Sequence, residues 1–246
     1  MASIYLSPST QEDNITINGG NEEYYMNLIA DAMIPYLNAS GIIYGRNTTE
    51  MTALQAAEDA NAGNYDFYLA LHSNAAEGNL AGRVRGAEIY FYPKSSEGKR
   101  AATIFANNYR EIYPRAQFVK TVPESNLVEL NKTTMPAILF EIAYHNNLED
   151  FIWLSSNINK IAENLAASAA DFLGVPFKIP QAFARGIVTI NSGNLNIRNA
   201  PNIRAEIIGK LANGNIVTVL ESQNDWYRIR SGDIVGYVNS KYIREL

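Results

Sequence analysis

The run Ala137-Ile138-Leu139-Phe140-Glu141-Ile142-Ala143-Tyr144-His145-Asn146-Asn147 decides how the rest of the chain is read. Pro136 precedes it and two asparagines close it, so its apolar residues suit a buried strand. Glu141 then falls at the strand's carboxyl end, where open α/β sheets place their sites. Its even spacing from His145 predicts that both side chains lie on one side of an extended chain. A carboxylate abutting four apolar residues is desolvated unless something compensates. A structural ion pair with Arg83 or Arg85 is the alternative to a chemical role.

Working outward, a second apolar run, Tyr68-Leu69-Ala70-Leu71-His72-Ser73-Asn74-Ala75, ends in a similar polar cluster. His72 and His145 are the only histidines in the chain, and there is no cysteine. Disulfides and thiolate metal sites are therefore excluded, and a metal would have to take His, Asp or Glu. Two strands that each deliver an imidazole at the same kind of terminus predict a hydrolytic metal site. Such a site needs three protein ligands, a position for water and a nearby carboxylate base. Glu22, beside the glycine turn Asn18-Gly19-Gly20-Asn21, is the candidate third ligand. Taken singly, each residue also has a plainer reading: a satisfied loop histidine, or a helix-capping charge.

The flanking segments alternate between strand and helix patterns. Residues 3–7 and 41–44 read as strands, and so does 87–92. Helical periodicity covers Tyr25 to Leu37, residues 49–61 and residues 96–113, and a last helix runs from about Asn147 to Leu173. Pro35 is expected to kink or end the first helix. Residues 114–136 lack periodicity and suit a functional rim. This alternation predicts an α/β domain with a mainly parallel sheet and helices on both faces over residues 1–174. Gly174-Val175-Pro176 opens a linker, 175–185, after which short β runs separated by turns such as Asn213-Gly214 predict a small all-β barrel over 186–246.

The 246 residues carry a net charge of −5, unevenly divided. Residues 1–176 hold 11 Lys+Arg and 20 Asp+Glu, a net of −9, whereas 177–246 hold 9 and 5, a net of +4. A mildly basic C-terminal module suits an anionic surface such as a cell-wall polymer, or is solvated decoration. No partnership with nucleic acid is expected, and no apolar window reaches the length of a membrane span. The start, Met1-Ala2-Ser3-Ile4-Tyr5-Leu6, lacks the basic region and apolar core of a secretory signal. The expectation is that the protein either works inside the cell or leaves it by a route this sequence does not encode.

Several of these pieces together carry a resemblance. They are the first strand with its Pro-Ser loop, Glu22 before Asn27-Leu28-Ile29-Ala30, His72-Ser73-Asn74-Ala75, Gly86-Ala87-Glu88, and Glu141 through Asn147. With them, residues 3–173 resemble the catalytic domain of zinc-dependent N-acetylmuramoyl-L-alanine amidases of the Amidase_3 type, found in phage endolysins, autolysins and spore-cortex enzymes. The resemblance implies a zinc-exopeptidase-like fold, zinc bound by Glu22 and His72, and Glu141 as catalytic base. The family's first zinc histidine lies in an Asp-Pro-Gly-His loop, but here the loop reads Ser7-Pro8-Ser9-Thr10-Gln11. His145 is the expected replacement, with Gln11 or Thr10 as weaker oxygen ligands and loss of the metal as a third outcome. Asn74 and Gln11 are the expected substrate contacts.

Residues 186–246 resemble a bacterial SH3 (SH3b) domain through Leu195 to Pro201, Ile208 to Leu211, Gly214, Trp226 to Ile229 and Gly236 to Ile243. That resemblance implies a peptidoglycan anchor, with Arg198, Tyr237 and Tyr242 as candidate wall contacts and Trp226 as barrel packing. The implied activity is cleavage of the amide between N-acetylmuramic acid and L-alanine. The alternatives are a non-catalytic wall-binding protein and a zinc carboxypeptidase acting on stem peptides.

Overall fold

A computed structural model describes residues 1–180, 185–223, 225–232 and 234–246, with the backbone alone at 221 and 223. The chain divides into two compact units, Met1–Ile179 and Pro180–Leu246. Among the described residues no helix is long and apolar enough to cross a membrane.

The first unit runs β1 (Ser3–Pro8), α1 (Glu22–Ala39), β2 (Ile43–Arg46), α2 (Ala53–Gly63), β3 (Phe67–Asn74), β4 (Ala87–Phe91), α3 (Ser96–Ile112), β5 (Val119–Pro123), α4 (Val128–Asn131), β6 (Ala137–Tyr144), α5 (Leu148–Ser156) and α6 (Ile158–Leu173). Its six-stranded sheet has the order β2-β1-β3-β6-β4-β5. All neighbours are parallel except β4 and β6, so the fold is α/β with a mostly parallel sheet.

The apolar runs form central strands because both sheet faces are covered. Ile4, Leu6, Phe67, Leu69, Leu71, Ile138 and Phe140 point to one face and pack with Ile29, Met33, Phe105 and Leu165 of α1, α3 and α6. Tyr5, Tyr68, Ala70, Ala137 and Leu139 point to the other, against Ala56 and Ala60 of α2 and Leu130 of α4. This period-two sorting puts His72 and Glu141 on the α2–α4 face, past the ends of their apolar runs.

Four local expectations change. Helix α1 continues through Pro35 to Ala39, because the carbonyl that loses its partner belongs to exposed Asp31 and can be solvated. The stretch 114–136 contains the edge strand β5 and the short helix α4; the mixed exposure of Val119–Pro123 hides the strand from a periodicity test. The last helix is two, broken at Asn157, whose φ of −126° and ψ of 23° are not helical. Residues placed at the start of the linker pack on the first unit: Phe177 stacks on Tyr36 and the Lys178 amide donates to Ser40 Oγ at 2.9 Å. Linker residues 181–184 lie outside the described residues.

The second unit consists of β7 (Arg185–Val188), β8 (Asn194–Arg198), β9 (Ile207–Ala212), β10 (Ile216–Gln223), β11 (Trp226–Ser231), β12 (Ile234–Asn239) and β13 (Ile243–Glu245). They form an antiparallel sheet in the order β13-β7-β10-β11-β12-β8-β9 around Ile197, Val217, Ile229 and Val238.

Candidate functional site

The site lies where β3 and β6 finish side by side. His72 stands opposite Glu141 in register, and Glu141 stands opposite Glu88 of β4. One imidazole and two carboxylates thus share a row across three strands. Glu22 reaches the row from another direction. Asn21 caps α1 by accepting from the Tyr24 amide at 2.9 Å, which fixes Glu22 as the first helical residue. Before the cap, Gly19 and Gly20 have φ of +87° and +77°, a turn that side-chain-bearing residues resist.

Glu22 is 1% exposed, and its Oε1 lies 2.9 Å from His72 Nδ1 and accepts from the Ser73 amide at 3.2 Å. Its Oε2 accepts from Asn14 Nδ2 at 2.7 Å, and the same amide donates to Gln11 Oε1 at 2.7 Å. Gln11 Nε2 in turn is 3.4 Å from His72 Nδ1. Three side chains therefore gather on one ring nitrogen: Glu22, Gln11 and, one step out, Asn14. The opposite nitrogen, His72 Nε2, faces Glu129 Oε1 at 3.5 Å. Glu129, buried on α4, had no signal in the sequence beyond its place in an irregular polar stretch.

Charge in this pocket is one-sided. Burial opposes ionisation of Glu22 and Glu129, but hydrogen bonds and attraction from His72 outweigh it, and both sit below the ordinary carboxylate range. Burial also disfavours the His72 imidazolium, yet bonds to Glu129 and Glu22 carry its pKa up to about 10. Glu141 goes the other way. Desolvation, reinforced by the charges of Glu22, Glu88 and Glu129 against the attraction of His72, pushes it up to about 7. The residue is partly exposed as a whole, but its Oε2 is sealed from solvent and has no hydrogen-bond partner. Arg85, the expected ion-pair alternative, pairs with Glu149 and, at 3.3 Å, with Asp150. Three carboxylates, Glu22, Glu129 and Glu141, act on a single imidazole, with Glu88 beyond Glu141, and a divalent cation would offset this one-sided negative charge. The donor set therefore fits a hard or borderline metal ion on the Glu22 and His72 Nδ1 side, with the Gln11 amide beside it.

His145 does not join these contacts. Its Nδ1 lies 2.8 Å from the Ser73 carbonyl and 2.9 Å from Ser73 Oγ. Its backbone is also tied, the amide donating to Asn74 O at 2.8 Å and the carbonyl accepting from Ile17 N at 3.1 Å. The parity expected from its spacing fails because the register shifts: His72 to Asn74 spans two residues, whereas the facing Glu141 to Tyr144 spans three. One extra residue in β6 reverses the alternation, so Tyr144 takes the side that even spacing gave to His145. Among the described residues no three His, Asp or Glu side chains group as a complete metal centre. Asn74 donates to Glu88 Oε2 at 3.3 Å, and Tyr90 Oη donates to the same oxygen at 2.6 Å. Thus Asn74 orients Glu88 rather than His72. A cleft of about 140 Å³ opens beside the row, lined by Ser7 to Gln11, Thr10 among them, with Asn47, Met51, His72 and Glu129.

In the second unit a larger groove of about 410 Å³ is lined by Arg198, Trp226 and Tyr242, with Asn196, Ile203 and Asn239. Two of the three candidate wall contacts line it. Tyr237 pairs with Arg198 across β12 and β8 but is not among the lining residues, and Trp226 faces the groove rather than only packing the core.

Residues 9–171 match the family described as N-acetylmuramoyl-L-alanine amidase, and residues 193–244 match the bacterial SH3 domain. The endolysin of Bacillus phage SPP1 is 28% identical over 131 residues, covering 51% of this chain and 46% of that protein. Bacteriocin BCN5 of Clostridium perfringens is 31% identical over 100 residues, 40% of this chain and 11% of that protein. The chain thus spans less than half of the length of either. Among solved structures, the amidase AmiC2 of Nostoc punctiforme superposes with a TM-score of 0.63 at 20% identity, covering 70% of this chain and 97% of that one. At that identity the likeness shows a shared fold.

Proposed function

The chain belongs to the N-acetylmuramoyl-L-alanine amidase family, and from that membership we propose that it hydrolyses the amide between the lactyl group of N-acetylmuramic acid and L-alanine in peptidoglycan. The observation that carries this reading is the sealed, unpartnered Glu141 Oε2 with a pKa raised to about 7, on the strand next to the His72–Glu22 pair.

Glu22 Oε1 and His72 Nδ1 would hold a zinc ion, and Gln11, whose amide group stands next to them, is the third candidate donor in place of a histidine. Zinc held there would supply Lewis acidity for the scissile carbonyl and for a water molecule near neutral pH. Glu141 accepts the attacking water's proton and returns it to the departing amine of L-alanine, a double task suited to a carboxyl group that titrates near 7. Glu88, held by Tyr90 and Asn74, keeps negative charge beside Glu141 and so helps to keep its proton affinity high. Asn14 braces Gln11 and Glu22 together. His145, anchored to Ser73, acts as a brace between β3 and β6.

Division of labour follows the two units: residues 1–174 cleave, and residues 186–246 hold the wall through the groove of Arg198, Trp226 and Tyr242, with Tyr237 supporting Arg198. The test is digestion of purified peptidoglycan with mass spectrometry of the products. Stem peptides with a free L-alanine amine and glycan strands with free lactyl groups are expected. Release of C-terminal amino acids alone would mark a carboxypeptidase, and wall binding without products would mark a non-catalytic protein.

A further inference from the structure

We propose that Glu129 is the positioning residue for His72, holding the ring so that Nδ1 rather than Nε2 presents its lone pair to the metal. The inference rests on the zinc reading given above and adds a residue that the amidase motifs do not contain.

The two ring nitrogens of His72 have different surroundings. Nδ1 meets Glu22 Oε1 at 2.9 Å and the Gln11 amide at 3.4 Å, whereas Nε2 meets Glu129 Oε1 at 3.5 Å. Lone pairs on the two nitrogens diverge, so one ion cannot be shared by a carboxylate on each. Glu22 and Glu129 therefore have separate tasks. A metal-bound imidazole commonly donates its other N–H to a carboxylate, which fixes both tautomer and ring angle. Glu129 stands where that acceptor is needed, and its side chain is 9% exposed.

Its support is built for this position. Helix α4 has only four residues and no side-chain cap, too little to be stable by itself. Leu130 anchors it in the α2–α4 core beside Ala137 and Leu139, and Thr133 Oγ1 donates to the Glu129 carbonyl at 2.9 Å. Packing thus delivers one buried carboxylate to one ring nitrogen.

The chain's two histidines make a direct test possible. Full-length protein labelled with ¹⁵N-histidine shows two rings, and the His145→Ala variant identifies which belongs to His72. In zinc-loaded wild type, His72 is expected as the Nε2–H tautomer with zinc on Nδ1. Zinc affinity, measured by competition with a chromogenic chelator, should fall about 10- to 100-fold in Glu129→Ala. Glu129→Gln, whose carbonyl still accepts the N–H, should recover most of it. Circular dichroism spectra matching wild type show that either variant has folded. Wild-type affinity in both variants with an unchanged ring tautomer overturns the positioning role, as does zinc on Nε2. Wild type that takes up no zinc, or takes it up equally after His72→Ala, overturns the zinc reading itself and this inference with it.

Discussion

Glu141→Gln should make the metal-stripped protein more stable at pH 8 while removing its activity. In the folded chain the Glu141 carboxyl is raised from an ordinary 4.5 to about 7 by desolvation and by Glu22, Glu88 and Glu129. Below about pH 4.5 the group is protonated whether the chain is folded or not, and it costs nothing. As pH rises toward 7 the unfolded chain releases this proton while the folded one keeps it. Folding stability therefore declines across that window, and above it the full penalty remains. At 1.36 kcal/mol for each pH unit the penalty is at most about 3 kcal/mol. Glutamine copies the shape of the neutral acid and never ionises, so the variant escapes it. For a unit of this size 1 kcal/mol moves the melting temperature by about 2–4 °C. A gain approaching about 10 °C is the upper bound at pH 8, shrinking toward zero only below about pH 4. The assay is a melt of chelator-treated wild type and variant at several pH values, beside turnover of peptidoglycan with zinc restored. Turnover should drop by about 10²–10⁴, the usual worth of a general base. A variant that melts at or below wild type at pH 8, or by a constant offset at every pH, would refute the desolvated-base argument.

Gln11→Ala should weaken zinc binding at least tenfold and His145→Ala should leave its stoichiometry unchanged, both read by metal analysis after dialysis against a weak chelator; the reverse pattern would restore the histidine as ligand. Asp150, fully buried, accepts from the Gly86 and Tyr144 amides at 2.9 and 3.1 Å and from Tyr113. Asp150→Ala strands these donors and should cost about 3 kcal/mol or more, seen as a lower urea midpoint. Trp226→Ala and Tyr242→Ala should release the full-length protein from sedimented cell walls while leaving cleavage of soluble muropeptides near wild type.

What the sequence discloses here depends on whether a residue's place is set locally or by distant contacts. The runs ending at His72 and Glu141 are legible because a strand covered on both faces must be continuously apolar, and a charged residue at its end stands out. Glu22 is legible because a glycine turn and an asparagine cap fix the start of α1 within a few residues. Glu129 is hidden because α4 exists only through Leu130 and its neighbours, so no local signal marks it. The side taken by His145 is hidden for a sharper reason. A single extra residue in β6 inverts the alternation without altering composition or spacing, so counting from Glu141 gives the wrong parity whatever the chemistry. The same shift brings Tyr144 toward Glu88 and Glu141, which together with burial raise its pKa to about 12. Tyr144 is therefore a neutral phenol at every pH where Glu141 changes state, a hydroxyl beside that carboxyl group that adds no charge to an already negative pocket. The bulge thus supplies a polar wall to this end of the sheet and leaves His72 as the imidazole that meets the carboxylates.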